Sequence, residues 1–197
     1  MEFQAWPKTG RLFRTIVVSE KIDGTNSAIL IERDGDTYNV GAQSRNRLIF
    51  PGKDTDNYGF AAWVQENAAD LVDLLGEGRH FGEWWGKSIA RNYGVDFRQF
   101  SLFNTDRWGK IAETAGMKND SHVSLKGGQL GGVPVLYHGE FSERSIQECL
   151  YDLQTLGSVA SPGFANPEGV CVYHTQSKTV YKVTLDNNDK GKWEANG

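Results

Sequence analysis

The order of hydrophobic periodicities along the chain constrains its fold more than any other feature. Short β-branched or aliphatic runs recur from end to end, and only two stretches switch to helical spacing. Thr15 to Val18, Ser27 to Glu32 and Thr37 to Ala42 read as strands, the last two joined as a hairpin through Asp34-Gly35-Asp36. Phe60, Trp63/Val64, Ala68, Leu71 and Leu74/Leu75 recur at three- and four-residue steps, which predicts one amphipathic helix over residues 58–75 stopped by Gly76. A second helix is expected over 142–156, between Ser142 as N-cap and Gly157. Apolar runs at 79–86, 99–104 and 132–138 read as buried strands, 169–174 with 178–184 as a further hairpin, and glycine-rich 127–132 as a loop. Helices scattered among hairpins, rather than alternating strictly with strands, predict an α+β fold with antiparallel or mixed sheets. No GxGxxG or GxxxxGK[ST] phosphate loop is present, so a doubly wound dinucleotide fold is disfavoured.

The 197 residues suit one domain with a sizeable core, and no Pro/Ser-rich linker or internal repeat marks a boundary. Cys149 and Cys171 lack metal-binding spacing and read as reduced structural thiols, which fits a cytoplasmic setting. His80, His122, His138 and His174 show no metal-ligand spacing either. The N-terminus has no long apolar core and no run reaches 18 apolar residues, so neither a secretion signal nor a membrane span is expected. The net charge of −4 hides a division. Residues 61–76 carry −3 and residues 140–170 carry −4, leaving +3 on the remainder, where Arg45, Arg47, Lys87, Arg91, Arg98 and Arg107 lie among strands and loops. A phosphate-contacting face is compatible with that division.

The sharpest local feature is Glu20-Lys21-Ile22-Asp23-Gly24-Thr25-Asn26, a lysine flanked by acids between two strand-like runs. Read alone, Asp23-Gly24 is an ordinary hairpin turn beside a solvated lysine. Its company changes the reading: Phe81-Gly82-Glu83-Trp84-Trp85-Gly86, Phe100-Ser101-Leu102-Phe103-Asn104, Pro167-Glu168-Gly169-Val170-Cys171-Val172 and Val180-Tyr181-Lys182-Val183 follow in that order. The ordered set, from Glu20 to Lys182, resembles the nucleotidyltransferase motifs of ATP-dependent polynucleotide ligases and mRNA capping enzymes. EKIDGTN is most similar to the RNA ligase branch that seals and edits RNA.

The resemblance implies a stand-alone adenylyltransferase domain, a lysyl-AMP intermediate on Lys21, and Mg²⁺ or Mn²⁺ as the metal. It implies that AMP passes to a 5′-phosphate end, which a 3′-hydroxyl end then joins, on RNA that is nicked in a duplex, with DNA as an alternative substrate. It gives Glu83 the ribose hydroxyls, Phe103 the adenine face, Glu168 the metal, Glu20 the adenine amino edge and Lys182 the α-phosphate. Arg45 falls to a sugar or phosphate contact, Asn26 to the sealing steps and Asp23 to the signature itself, and Ile22 joins the nucleotide-contacting set. The attacking amine must be unprotonated, whereas a free lysine with a pKa of about 10.4 is charged near neutrality, so a neighbouring cation or burial is required to tune it.

Phe100 competes with Phe103 as the stacking ring. Trp84 and Trp85 cannot both face one side of a strand, so one is expected to line the cleft or to be covered by another element. Two departures stand out. Val180 and Thr184 flank Lys182 where relatives carry a KxK pair, leaving Lys190 or Lys192 as substitutes. Only 15 residues follow Lys182, so no appended C-terminal domain is expected, and the chain reads as a monomer. A minimal DNA ligase, a GTP-using capping enzyme and a nucleotide- or nucleic-acid-binding module that does not seal remain the alternatives.

Overall fold

A computed structural model describes residues 2–117 and 121–186. In chain order the elements are β1 (Thr15–Lys21), β2 (Thr25–Asp34), β3 (Thr37–Ser44), β4 (Leu48–Ile49), α1 (Phe60–Glu66), α2 (Ala68–Leu75), β5 (Gly78–Gly86), β6 (Arg98–Leu102), α3 (Thr105–Trp108), α4 (Ile111–Thr114), β7 (His122–Leu125), β8 (Gly128–Gly132), β9 (Val135–Glu140), α5 (Glu143–Leu156), β10 (Gly169–His174) and β11 (Thr179–Thr184). They form two sheets. One has the order β11-β10-β1-β9 and is antiparallel throughout, and the other has the order β4-β3-β2-β5-β6-β8-β7 with a single parallel pair, β6 with β8. The expected α+β architecture with mixed sheets is what forms.

Each sheet buries one face under helices, as amphipathic alternation requires. Ile16 and Val18 of β1 and Val170 and Val172 of β10 pack with Cys149, Leu150 and Leu153 of α5. Ile29 and Ile31 of β2, Trp84 of β5 and Phe100 of β6 pack with Phe60, Trp63, Val64 and Leu71. Trp85 points the other way and is fully buried against Tyr93 and Phe97. The paired tryptophans thus take opposite faces, and the second is covered by the loop after β5 rather than lining a cleft.

Three readings of the sequence need correcting. The helix expected over 58–75 is two helices, α1 and α2, hinged at Asn67, whose backbone (φ −111°, ψ 20°) leaves the helical region. Asn67 is buried because its Nδ2 donates to the carbonyls of Trp63 (2.8 Å) and Lys126 (3.0 Å), while its Oδ1 accepts from the Lys126 N–H (3.0 Å). Asn67→Ala would strand the polar groups of Lys126 and is expected to cost about 2 kcal/mol. Thermal unfolding checks it, with a Tm fall of about 4–8 °C. Second, residues 128–132 form β8, wedged between β6 and β7, instead of a loop. A side chain on Gly128 would meet Trp63 Nε1 at 2.9 Å, so packing space rather than turn geometry requires glycine there. Third, Asp23-Gly24 is no hairpin turn, because β1 pairs with β9 and β10 while β2 pairs with β3 and β5. Residues 22–24 instead carry the chain from one sheet to the other. The expected hairpins β2–β3 and β10–β11, and α5 with its Ser142 cap (Oγ accepting from the Ser145 N–H, 3.2 Å), form as read.

Among the described residues no helix is long and apolar enough to cross a membrane.

Candidate active site

The crossing at residues 22–24 opens a cleft of about 690 Å³ between the two sheets, and alternation along β1 decides what faces it. Val17, Ser19 and Lys21 line the cleft, with Cys171 and Tyr173 of β10 and Val180 of β11 extending the same face. Glu83 of β5, Asn26 of β2, Arg45 of the β3–β4 turn and Phe103 beyond β6 line it from the other side. Residues far apart in sequence therefore meet. Lys21 lies opposite Gly169 in the β1–β10 register, which puts Glu168 beside it: Lys21 Nζ and Glu168 Oε2 form an ion pair at 2.5 Å. Asn26 lies opposite Glu83 in the β2–β5 register.

Gly24 makes the approach of the two sheets possible. A side chain there would meet the Trp84 carbonyl oxygen at 2.5 Å and Trp85 Cβ at 2.8 Å, so only glycine lets the loop lie against β5. In that position the Gly24 N–H donates to Glu83 Oε1 (3.2 Å). Burial pushes the Glu83 carboxyl up to about 7, and the neighbouring carboxylates Glu168 and Asp23 push the same way. The Lys21 cation and the Gly24 N–H oppose that shift.

The same alternation turns the side chains of Glu20 and Ile22 away from the cleft, although both residues border it. Glu20, expected at the adenine amino edge, has its carboxylate buried on the α5 side, where Oε1 accepts from Ser158 Oγ (2.6 Å) and Oε2 from the N–H groups of Val159 and Ala160 (2.9 Å each). Burial raises its pKa while those three bonds oppose the rise. Ile22, expected among the nucleotide contacts, buries its side chain with Trp85, Tyr93 and Val133. Either residue can reach a cleft ligand only through its backbone. Phe103 is 41% exposed on the cleft wall and Phe100 is wholly in the core, which separates the two competing rings. Lys182 lies opposite Cys171 on the cleft face of its sheet but is two strands from β1 and does not line the cleft. Val180, in place of the first lysine of KxK, does line it. Lys190 and Lys192 lie outside the described residues.

Two arginines counted as available for phosphate, Arg98 and Arg91, are committed to the protein, whereas Arg107 donates to the Leu75 carbonyl and lies over the Trp108 ring while lining the cleft. Arg98 donates to the carbonyls of Tyr58 and Lys87. Arg91 joins Asp23 (Nε to Oδ2, 3.1 Å), the Asn166 carbonyl (3.2 Å) and Asp186, tying the loop after Lys21 to both flanks of the β10–β11 hairpin. Tyr93 seconds it by accepting from the Asp23 N–H (2.9 Å). Sequence reading missed these two as holders of that loop; their segment carries positive φ at Ser88, Ala90, Asn92 and Tyr93, which no local residue preference announces. Cys171, read as a purely structural thiol, stands on the cleft floor with its pKa raised by burial.

A deep cleft with an aromatic wall, an amine paired to a carboxylate at its mouth and a second carboxylate poised near neutrality can bind a nucleotide and present a nucleophile to its phosphates. Comparison with known proteins points the same way. Three structures of mutants of the RNA ligase of Naegleria gruberi share the fold. One with ATP and Mn is 17% identical, with a TM-score of 0.58 over 89% of this chain and 51% of that one. A second, with AMP and Mn, gives 15%, 0.57, 88% and 50%, and an apo form gives 19%, 0.55, 88% and 50%. This chain therefore spans about half the length of the solved structures it matches. No curated protein matches it. The model of the RNA ligase family matches residues 14–184, from the start of the first sheet to the end of β11, and the chain belongs to that family.

Proposed function

We propose that the chain is an ATP-dependent RNA ligase whose adenylyltransferase unit carries AMP on Lys21. The observation that supports this best is the convergence of Lys21, Asn26, Glu83 and Phe103, contributed by four separate segments, on one cleft, with Glu168 from a fifth ion-paired to Lys21. In the first step Lys21 Nζ attacks the α-phosphorus of ATP, an N–P bond forms, the bridging P–O bond breaks, and pyrophosphate leaves. The Lys21–Glu168 ion pair must open for the amine to attack. AMP then passes to a 5′-phosphate end, and a 3′-hydroxyl displaces it.

Phe103 stacks on the adenine and Glu83 accepts from the ribose hydroxyls. Glu20 and Ile22 contribute backbone groups at the base edge. Arg45, and Lys182 reaching across from its outer strand, neutralise phosphate charge; Asn26 orients the ends in sealing, and Asp23, held by Arg91, fixes the loop that carries Lys21. The donor set suits Mg²⁺ or Mn²⁺: Glu168 offers hard oxygen ligands, and among the described residues no group of three or more His, Cys, Asp or Glu forms a cage. Ions of this kind are held by one or two carboxylates and completed by substrate phosphates and water. Bound there, the ion supplies charge neutralisation on the phosphate oxygens.

The test is incubation with α-labelled ATP and Mg²⁺ or Mn²⁺, followed by denaturing electrophoresis and peptide mapping. Label on the peptide that contains Lys21 is expected, and no covalent label would sink the mechanism. Nicked duplexes with RNA or DNA at the 3′-hydroxyl side then measure strand preference through the 2′-hydroxyl. Val180 in place of a second lysine favours one rival, a module that self-adenylates without sealing. Failure to join any 5′-phosphorylated nick would select that rival.

Phe103→Ala is expected to raise the KM for ATP about 5- to 30-fold, the equivalent of roughly 1–2 kcal/mol of lost stacking, with the fold intact. Steady-state self-adenylation checks it. An unchanged KM would return Phe103 to a packing role.

A further inference from the structure

The cleft continues outward along the open face of the seven-stranded sheet as a groove of about 570 Å³ over β2 and β3. Cross-strand register fixes its floor: Leu30 lies opposite Gly41 on one side and Arg79 on the other, one rung beyond Ala28, Gln43 and Phe81, which in turn adjoin Asn26 and Glu83. Arg47 borders this groove, and Arg45 and Arg79 stand where it meets the cleft. These three arginines make no ion pair among the described residues, unlike Arg91 and Arg144. Glu32, at the outer end, is the single acid in the lining. A chain of net charge −4 thus leaves three unpaired guanidinium groups along one channel that leads to the attacking lysine. Leu48, 56% exposed, adds an apolar rim.

We propose that this groove is the track for the RNA strand as it leaves the sealing site, with Arg47 and Arg79 on its phosphates and Leu30 and Leu48 under its sugars and bases. Arg79 is four residues from Glu83 along β5, about 13 Å at 3.3 Å per residue, and borders both the groove and the cleft, where a strand passing from one to the other would meet it. Gly41 keeps the floor open: a Cβ built on it has Leu30 Cβ, at 4.0 Å, as its only neighbour within that distance. The chemistry selects RNA over an acidic protein surface because spaced guanidinium groups over an apolar floor match regularly spaced phosphates with sugars between them. The inference rests on the ligase reading.

The experiment measures binding of a fluorescein-labelled nicked RNA duplex from 50 to 200 mM salt, together with self-adenylation, on the full chain. R47A/R79A is expected to lower the slope of log K against log salt by about 1.4–1.8, two phosphate contacts' worth. K126A/R144A removes two surface cations that are paired to Glu66 and Glu148 away from the groove, and it should leave the slope unchanged. Gly41→Leu, which fills the floor without altering charge, should weaken binding at every salt concentration. An unchanged slope in R47A/R79A, or an equal fall in K126A/R144A, overturns the track. A wild-type protein that takes no AMP, with the slope change still seen, removes the ligase reading and leaves the track standing.

Discussion

A Lys21→Met protein is expected to take up no covalent AMP at any metal concentration, a fall of at least about 10⁴-fold, yet to join an RNA 5′ end that is supplied already adenylylated. The first half follows from the absence of a second competent nucleophile at the cleft among the described residues. The nearest thiol, Cys171, lines the cleft with its pKa raised by burial, so it stays protonated and unreactive, and the Ser19 hydroxyl on the same face has no base hydrogen-bonded to it among the described residues. The second half follows from chemistry. Once AMP is on the RNA end, the attacking group is the 3′-hydroxyl, and the groups left to position it are Asn26, Arg45 and Lys182. Methionine keeps the length of the stem, so the variant loses the Lys21–Glu168 ion pair but little packing. Sealing of the pre-adenylylated end at a rate of the same order as wild type, with no self-labelling, is the signature of a nucleophile acting in one step only. Loss of both activities, with an unchanged melting curve, would place Lys21 in phosphate binding instead.

The sequence made the site legible because its parts obey short-range rules while the sheets supply the long-range ones. Lys21 and Glu168 can be named from their motifs, but their 2.5 Å ion pair comes from the β1–β10 register, which no local pattern encodes. The positions of Glu20 and Ile22 were legible in principle. Alternation along β1 requires that residues flanking Lys21 face the other way, and that rule outranks their place in a motif. Gly24 shows a different failure: Asp-Gly is a strong turn signal, yet here the missing side chain serves a close approach to β5 rather than a reversal of the chain. Asn67 reads as a surface position in a helical pattern, because its partner Lys126 is 59 residues away. The charge division carried real information about where basic residues gather. It could not separate Arg91 and Arg98, which hold the protein together, from Arg45, Arg47 and Arg79, which face open grooves.

The pH dependence of ATP use is expected to be set in part by Glu83. Its pKa is raised from 4.5 to about 7, so the free protein holds a neutral carboxyl below that pH and a carboxylate above it. A carboxylate accepts a ribose hydroxyl more strongly than a neutral acid, so kcat/KM for ATP, which reports the free enzyme, should rise as pH climbs through about 7 and fall about tenfold per unit below it. Glu83→Gln should abolish that inflection and lower kcat/KM at pH 8 by about 10- to 150-fold, the equivalent of roughly 1.5–3 kcal/mol for a hydrogen bond to a charged group. Stability should move the opposite way. A carboxyl whose folded pKa lies above its unfolded value contributes stability that is fully present below about 4.5 and is lost as pH rises through about 7. At pH 8 the variant should therefore melt above wild type while working worse, the mark of a side chain kept in a costly state for its chemistry. The Lys21 cation is one of the two influences that hold the Glu83 value down, so direct ATP binding to the Lys21→Met protein should titrate at a higher pH than in wild type. A titration that stays at the same pH in both proteins, or one that survives Glu83→Gln, would assign the inflection to another group.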